Sequence, residues 1–460
     1  MHMTEVTAAP GTRLRFATLV AFALPSAHFM LVRLAAYGTV SALYAQKFGL
    51  DLAAISTVLL AMRMVEALLQ IPAGYVSDRL RHRRWGRKPL LFAGMSLSAV
   101  AIFQVYVPPN TAGLSYFSFW LVSATLISSL TEVPYGAWST EITHEYHQRS
   151  RLATSQAWGG ATGLEAFSAV PLLWFLHSGR IDFASLRVVG LLIFGLLPVS
   201  IVACAMFVPA GRTAAAAATP SWRQTLRSIA GNRPLQFVLA TAGLWEFAVG
   251  ASSAAMFMYV DSYLRTGKAV PYQGLVSFPA MLVGMTLMSL TIRRYQKHHV
   301  WAASMAMVGV VMCTVACLRP EFPHLMAALL ITQIGSYLMM AGAAVVPQSV
   351  IGDIVDYEAM RSGQRVAGQF VAALQLSQKL LSGVAVSAGI YLLSVFRFKP
   401  GQAAYGPLDS FGVTFVAAGL PALLMFACAV IVWRYPITQR RHRAILRCLE
   451  RRQIASGIAN

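Results

Sequence analysis

Long apolar runs alternate with short polar or Gly/Pro-rich joints along the whole chain, and the runs repeat at lengths that suit a bilayer-crossing helix. At ~20 residues per crossing, the pattern predicts about twelve spans. They fall near 16–46, 52–76, 89–107, 115–139, 152–178 and 185–208, then 235–264, 270–292, 299–318, 321–347, 367–396 and 411–434. The longest polar interruption, PAGRTAAAAATPSWRQTLRSIAGNRP, separates the sixth span from the seventh. Six spans on either side suggest the internal duplication of many secondary transporters. The expected architecture is therefore all-α: a polytopic membrane protein with an N-terminal six-helix half (1–208), a cytoplasmic linker (209–234), a C-terminal half (235–434) and a basic tail (435–460).

Composition supports this class. Of 460 residues, 57% are hydrophobic and 12% charged, with a mean hydropathy of +0.59. A soluble domain would carry about 25% charged residues. The opening MHMTEVTAAPGTR has no apolar core of the kind a cleavable leader needs, so none is expected. Five cysteines show no metal-ligand spacing, and four lie in apolar runs as small buried side chains would.

Charge then orients the chain. SDRLRHRRWGRK follows the second span, RRYQKHH the eighth, and arginines crowd the tail, whereas VPPNTAGLS between spans three and four has no basic residue. By the positive-inside rule, both termini are expected in the cytoplasm, with the plasma (inner) membrane as the site. The formal net charge of +20 thus reads as a topology signal. Nucleic-acid binding would need a basic folded domain, and the pattern leaves no room for one.

Ionisable groups inside spans are rare and are functional candidates by default. The predicted spans hold Arg33, Arg63, Glu66, Glu132, Glu165, Glu246 and Lys379. Arg63, Glu66 and Gln70 share one face of the second span. Buried acids on facing helices are suited to hold a proton or a small cation. The competing expectation is that some of these charges only pair and keep helices in register.

Four segments carry a resemblance. The fourth span exits as EVPYGAWSTEITHEYHQRSRL (Glu132 to Leu152), the joint after span two reads GYVSDRLRHRRWGRKP (Gly74 to Pro89), GNRP (Gly231 to Pro234) enters span seven, and GDIVDYEAMRSGQRVAGQFVAALQLSQKLLSGVAVSAG runs from Gly352 to Gly389. In this order they resemble the signatures of the glycoside–pentoside–hexuronide:cation symporters, the branch of the major facilitator superfamily that includes the melibiose permeases. The resemblance implies the major facilitator fold, transport of a sugar or glycoside with H+ or Na+ by alternating access, and no cofactor, metal or enzymatic activity. It assigns cation coupling to Glu66 and Glu132 with Arg63 beside them. It assigns solute binding to Glu132 and Lys379, with Gln156 where the family has a span-five arginine; Tyr135 is a further hydrogen-bond donor. Asp78, Arg79, Arg87, Glu141, Arg149, Asp356 and Arg365 match the cytoplasmic latch. The expected partners are a small-molecule solute and the lipid bilayer, with the chain acting as a monomer.

The departures shape the expectation further. Gln70 stands where sodium-coupled members carry a second span-two acid, and fewer anionic oxygens favour a proton over a sodium cage. The family's span-one sugar-binding aspartate has no counterpart near Met30. A lysolipid or other amphiphile carrier of the same fold, and a non-transporting accessory membrane protein, are the rival readings. An intramembrane enzyme would need a constellation such as HExxH or GxSxG, and neither occurs.

Overall fold

The computed structural model describes residues 14–80, 87–143, 146–173, 179–209, 231–362 and 367–455, and leaves some side chains within those helices outside the description. Among the described residues there is no strand. The helices are α1 (Phe16–Ala35), α2 (Gly38–Phe48), α3 (Leu52–Leu80), α4 (Lys88–Tyr106), α5 (Leu114–Ile142), α6 (Tyr146–Ala169) and α7 (Phe183–Phe207). After the linker come α8 (Arg233–Met258), α9 (Ala269–Arg294), α10 (Lys297–Ala316), α11 (Leu325–Ser362), α12 (Ala367–Val395), α13 (Pro407–Thr414), α14 (Leu420–Trp433) and α15 (Gln439–Ala455). Among the described residues, ten helical stretches are long and apolar enough to cross a membrane. The fifth and eleventh predicted spans fall outside that set: α6 carries polar residues such as TSQ and E throughout, and the apolar part of α12 is confined to Leu380–Val395. With this all-helical architecture the protein is an integral membrane protein.

Local chemistry sets the helix ends. Asp182 accepts a hydrogen bond from the Ser185 amide (2.8 Å) while Ser185 Oγ accepts from the Asp182 amide (2.9 Å), a capping box that starts α7. Asn232 Oδ1 accepts from the Leu235 amide (3.0 Å) and Pro234 follows in the first turn, so α8 starts there. Gly49, at φ +67°, ends α2 in a left-handed conformation that costs a glycine little.

Three boundaries depart from the sequence reading. The first predicted span, 16–46, is two helices: Tyr37 is extended between α1 and α2, and Gly38 opens the second. The Tyr106 hydroxyl donates to the Leu31 carbonyl (2.7 Å) and the Tyr44 hydroxyl to that of Val105 (2.9 Å), tying each side of the break to α4. The second and tenth spans run past their predicted ends. α3 continues to Leu80 and α11 spans 38 residues to Ser362, so Asp78, Arg79, Asp356 and Tyr357 stand on helices and not in joints. Charged helix ends of this kind project beyond the hydrocarbon, and hydropathy alone places the boundary too early.

The chain forms two compact units, one built from residues 1–216, 260–275 and 399–404, the other from 217–259, 276–398 and 405–460. Phe22, Phe29, Leu91, Met95, Trp138, Leu152 and Cys204 form the core of the first. Trp301, Met305, Val346, Phe370, Met425 and Cys428 are central to that of the second. In the first unit, Gln46 Nε2 donates to Asp261 Oδ2 (3.1 Å) and Ser262 Oγ (3.0 Å). On α7, Leu191, Val199, Val202 and Met206 are about half exposed, an apolar face that matches lipid.

Candidate functional site

Three helices of the first unit bring together Arg33, Arg63, Glu66 and Glu132. On α3, Arg63 and Glu66 are three residues apart, so they fall on one face. Arg63 Nη1 lies 2.7 Å from Glu66 Oε2, with side chains 15% and 5% exposed. On α5, Ser129 and Glu132 have the same spacing. Ser129 Oγ donates to the other oxygen of Glu66, Oε1, at 2.6 Å. The last turn of α1 supplies Arg33, whose Nη2 donates to Glu132 Oε1 at 2.6 Å. This outer pair is more open than the inner one: the Arg33 side chain is 49% exposed and that of Glu132 23%. Glu66 and the Tyr37 hydroxyl also lie within electrostatic range of Arg33. Two carboxylates and two guanidiniums therefore form a chain of compensated charge across α1, α3 and α5. In a low-dielectric setting each member is stable only while its partner stays in place.

The sequence brought Arg63 and Glu66 to one face but left Arg33 without a named partner, and it passed over Ser129. The signal for Ser129 was its place one turn before Glu132 on a helix otherwise rich in apolar residues. Tyr135 stands one turn beyond Glu132 on α5. Its hydroxyl donates to the Phe22 carbonyl and stands 2.9 Å from Ser26 Oγ, with Gln156 beside it. Its ring packs on Phe22 and Phe29. Tyr135 and Gln156 thus meet each other, with the Glu132 carboxylate in electrostatic range of the Tyr135 hydroxyl. Lys379 is on α12, and its side chain lies outside the described residues.

The predicted latch residues divide in the same way. Arg87 is buried and donates to Ser77 Oγ near the end of α3. The side chains of Asp78, Arg79, Glu141 and Arg149, and the whole of Arg365, lie outside the described residues. Asp356 is described, and its partner comes from an element that the sequence reading left as a tail. His442 Nε2, on α15, lies 3.1 Å from Asp356 Oδ2 and 3.7 Å from Asp353 Oδ1. Lys297 Nζ donates to both oxygens of Asp353 at 3.0 Å. Lys297, Asp353 and His442, with Tyr435 and Arg443, line a cavity of about 240 Å³. Burial, and after it the nearby Asp353 carboxylate, push the Tyr435 phenol above its ordinary range. Asn232 Nδ2, buried, donates to the buried Glu358 Oε2 (2.9 Å) and Arg361 to the Gly231 carbonyl, so GNRP is tied to the end of α11.

Among the described residues no group of three or more His, Cys, Asp or Glu side chains is placed to hold a metal ion.

Comparison with known proteins places this geometry. A family model described as MFS/sugar transport protein matches residues 21–439. A glucuronide carrier protein homolog of Escherichia coli (strain K12) is 25% identical over 447 residues, covering 91% of this chain and 93% of that protein. YagG of the same organism, named a candidate glycoside/cation symporter, is 22% identical over 427 residues, with 90% and 91% covered. Among solved structures, the nucleoside transporter NupG superposes with a TM-score of 0.62 at 12% identity, covering 92% of this chain and all of that one. The inward-open xylose transporter XylE of E. coli gives 0.57 at 14% identity, covering 92% and 96%. At such identities the structures speak for the fold alone.

Proposed function

Because this chain belongs to the MFS/sugar transport protein family, and is a transporter and not an enzyme, we propose that it carries a sugar or glycoside in symport with a cation, and that the cation is a proton. The observation that carries this reading is the pair of arginine-bound carboxylates, Glu66 and Glu132, joined through Ser129 on α5. Both oxygens of Glu66 are engaged, Oε2 by Arg63 and Oε1 by Ser129. A hard metal cation takes several oxygen ligands at once, and this arrangement has few to spare. A proton needs one. Two of the relatives are named for a glucuronide and for glycoside/cation symport, which supports the solute class.

The mechanism follows from the outer pair. Arg33 and Glu132 are the more exposed partners, so an incoming proton reaches Glu132 before Glu66. Its transfer to the Glu132 carboxylate removes the charge that holds Arg33. The guanidinium is then available to the solute. A planar, bidentate donor of this kind suits the carboxylate of an acidic sugar, and also paired hydroxyls. Solute binding so depends on proton uptake, and the empty carrier regains the Arg33–Glu132 pair when both have left. With an acidic solute each half-cycle exchanges one satisfied charge for another, which avoids an uncompensated charge in the membrane. Alternation between the two faces by rocking of the halves completes the cycle, with both termini in the cytoplasm of a plasma (inner) membrane protein acting as a monomer.

The test is pH recording in proteoliposomes, with a panel of glycosides, pentoses, hexuronides and lysolipids, with and without sodium. A solute-evoked proton influx that disappears in Glu132→Gln is expected, together with loss of solute binding in Arg33→Gln. Proton uptake that survives Glu132→Gln would overturn the assignment. Sodium-dependent uptake with no proton movement would overturn the choice of ion.

A further inference from the structure

Among the described residues, one membrane acid has no hydrogen-bonding or ion-pair partner. Glu246 stands near the middle of α8. At 1.5 Å per residue it is about 20 Å from the Asn232 cap and about 18 Å from Met258 at the other end. These distances place it well inside a hydrocarbon layer of ~30 Å. The residue is half-buried. Glu66 and Glu132 each accept from a guanidinium, yet among the described residues Glu246 makes no hydrogen bond and no ion pair.

Its surroundings explain why. α8 packs on α12 with almost nothing between the two backbones. A Cβ added at Gly250 would stand 2.6 Å from the Ala385 Cβ and 2.9 Å from the Ser382 carbonyl oxygen, and one added at Gly243 would stand 2.7 Å from Leu381 Cδ1. Glu246 lies three residues after Gly243 and four before Gly250, at the edge of this seam. The neighbouring elements offer little charge. α14 and the π-helical turn before it (Phe415–Gly419) carry no Asp, Glu, Lys, Arg or His, and the one titratable group of α14, Cys428, lies against the Thr241 carbonyl. The acids and the arginine of α11 (Asp353, Asp356, Glu358 and Arg361) are in its last three turns, beside the start of α8. Arg233 is at that same end of α8. From α12 the charged residue is Lys379, two residues before Leu381; its side chain is outside the description.

A bare carboxylate at this depth would cost a few kcal/mol, and nothing described around it offsets that. We propose that Glu246 is a proton-carrying group of the transport cycle, resting in its protonated form and releasing the proton only when water or solute reaches it. The proton arrives from water on the side to which the carboxylate is open and leaves to water on the other. Only an O–H bond forms and breaks, and the residue is neutral in transit. This inference rests on the proton-coupled reading given above and adds a second proton-binding carboxylate, in the other unit of the chain.

Two measurements test it, the first of them independent of any solute. Infrared difference spectra of the full-length protein in lipid vesicles, recorded between neutral and alkaline pH, should show a protonated-carboxyl band that shifts in D₂O and is missing in Glu246→Gln. Spectra in which Glu246→Gln removes no such band would overturn the proposal, because Glu246 would then be ionised and held by a cation. Glu246→Asp, which keeps the carboxyl, should retain a displaced band, and its absence in a folded variant would count equally against the idea. In proteoliposomes, Glu246→Gln is expected to lower the proton-to-solute ratio and the accumulation driven by an acid-outside gradient, while counterflow exchange of solute persists. An unchanged ratio would overturn the proposal. If the wild-type protein moves no protons with any solute, the symport reading fails, and the infrared result still decides whether Glu246 holds a proton.

Discussion

Removing one member of the Arg63–Glu66 pair should cost far more than removing both. The Glu66 side chain is 5% exposed and that of Arg63 15%, with 2.7 Å between Nη1 and Oε2. Solvent therefore screens the pair little. Arg63→Leu leaves the carboxylate buried without its nearest guanidinium, with Ser129 still donating to it (2.6 Å). Breaking a buried pair in this way costs about 3–5 kcal/mol, and Glu66→Leu, which strands the guanidinium, should cost a similar amount. The double replacement removes both charges and fills much the same volume with apolar atoms, so its cost should be small. With single costs of about 3–5 kcal/mol each and a small double cost, the coupling energy should reach roughly 6 kcal/mol or more, above the usual range of about 0.5–3 kcal/mol for contacting residues. Ser129→Ala should cost about 1.5–3 kcal/mol in the wild-type background, as a hydrogen bond to a charged group, and little where Glu66 is already leucine. The assay is equilibrium unfolding of the purified protein in mixed micelles, with the four proteins of the cycle measured side by side. Single-variant costs that simply add, leaving a coupling below about 0.5 kcal/mol, would refute the view that these charges are stable only as a pair.

Three further outcomes can be checked on the same preparations. Gly250→Val should destabilise by about 1–3 kcal/mol through overpacking against Ala385 and Ser382, read as a lowered unfolding midpoint, whereas Gly136→Val, which meets nothing within 4 Å, should cost less. Asp353→Asn should loosen α15, because Lys297 and His442 both lose a charged acceptor; faster hydrogen exchange confined to 439–455 and the facing end of α11 is the readout, and unchanged protection would count against the docking. The phenol of Tyr435 is pushed up by burial and by Asp353, so the folded state keeps its proton where the unfolded chain loses it. That contribution is fully present below the unfolded value of about 10 and is lost as pH rises above it, so Tyr435→Phe should flatten the alkaline fall in stability.

Much of the architecture was legible because bilayer crossing imposes one length and one kind of surface. The runs from Phe16 to Trp433 gave the order of the helices, and the motif segments gave the family. The errors have physical causes. Hydropathy cannot see the break at Tyr37, since the residues on both sides of it are mostly apolar and the interruption is a matter of backbone conformation. Nor can it see that α3 and α11 carry their charged residues on helical turns beyond the lipid. The candidate site was half legible. Arg63 and Glu66 announced themselves by spacing, but the pairing of Arg33 with Glu132 depends on how α1 meets α5 across 99 positions of sequence. The role of α15 was the least legible part. A basic tail reads as a topology anchor, and only the docked helix shows Ile437 and Ile445 buried in the core of the second unit, with His442 on Asp356.

The glycine seam between α8 and α12 bears on mechanics as much as on chemistry. Side chains normally act as compliant spacers: a rotamer can turn, and two helices can slide by a fraction of a turn. Along Gly250 and Gly389 that compliance is missing, with Cβ positions that would lie within 3 Å of the opposing helix. Such a pair resists shear and transmits a push from end to end as a single rod. A displacement imposed where Asn232 meets Glu358 would therefore arrive undiminished at the depth of Glu246.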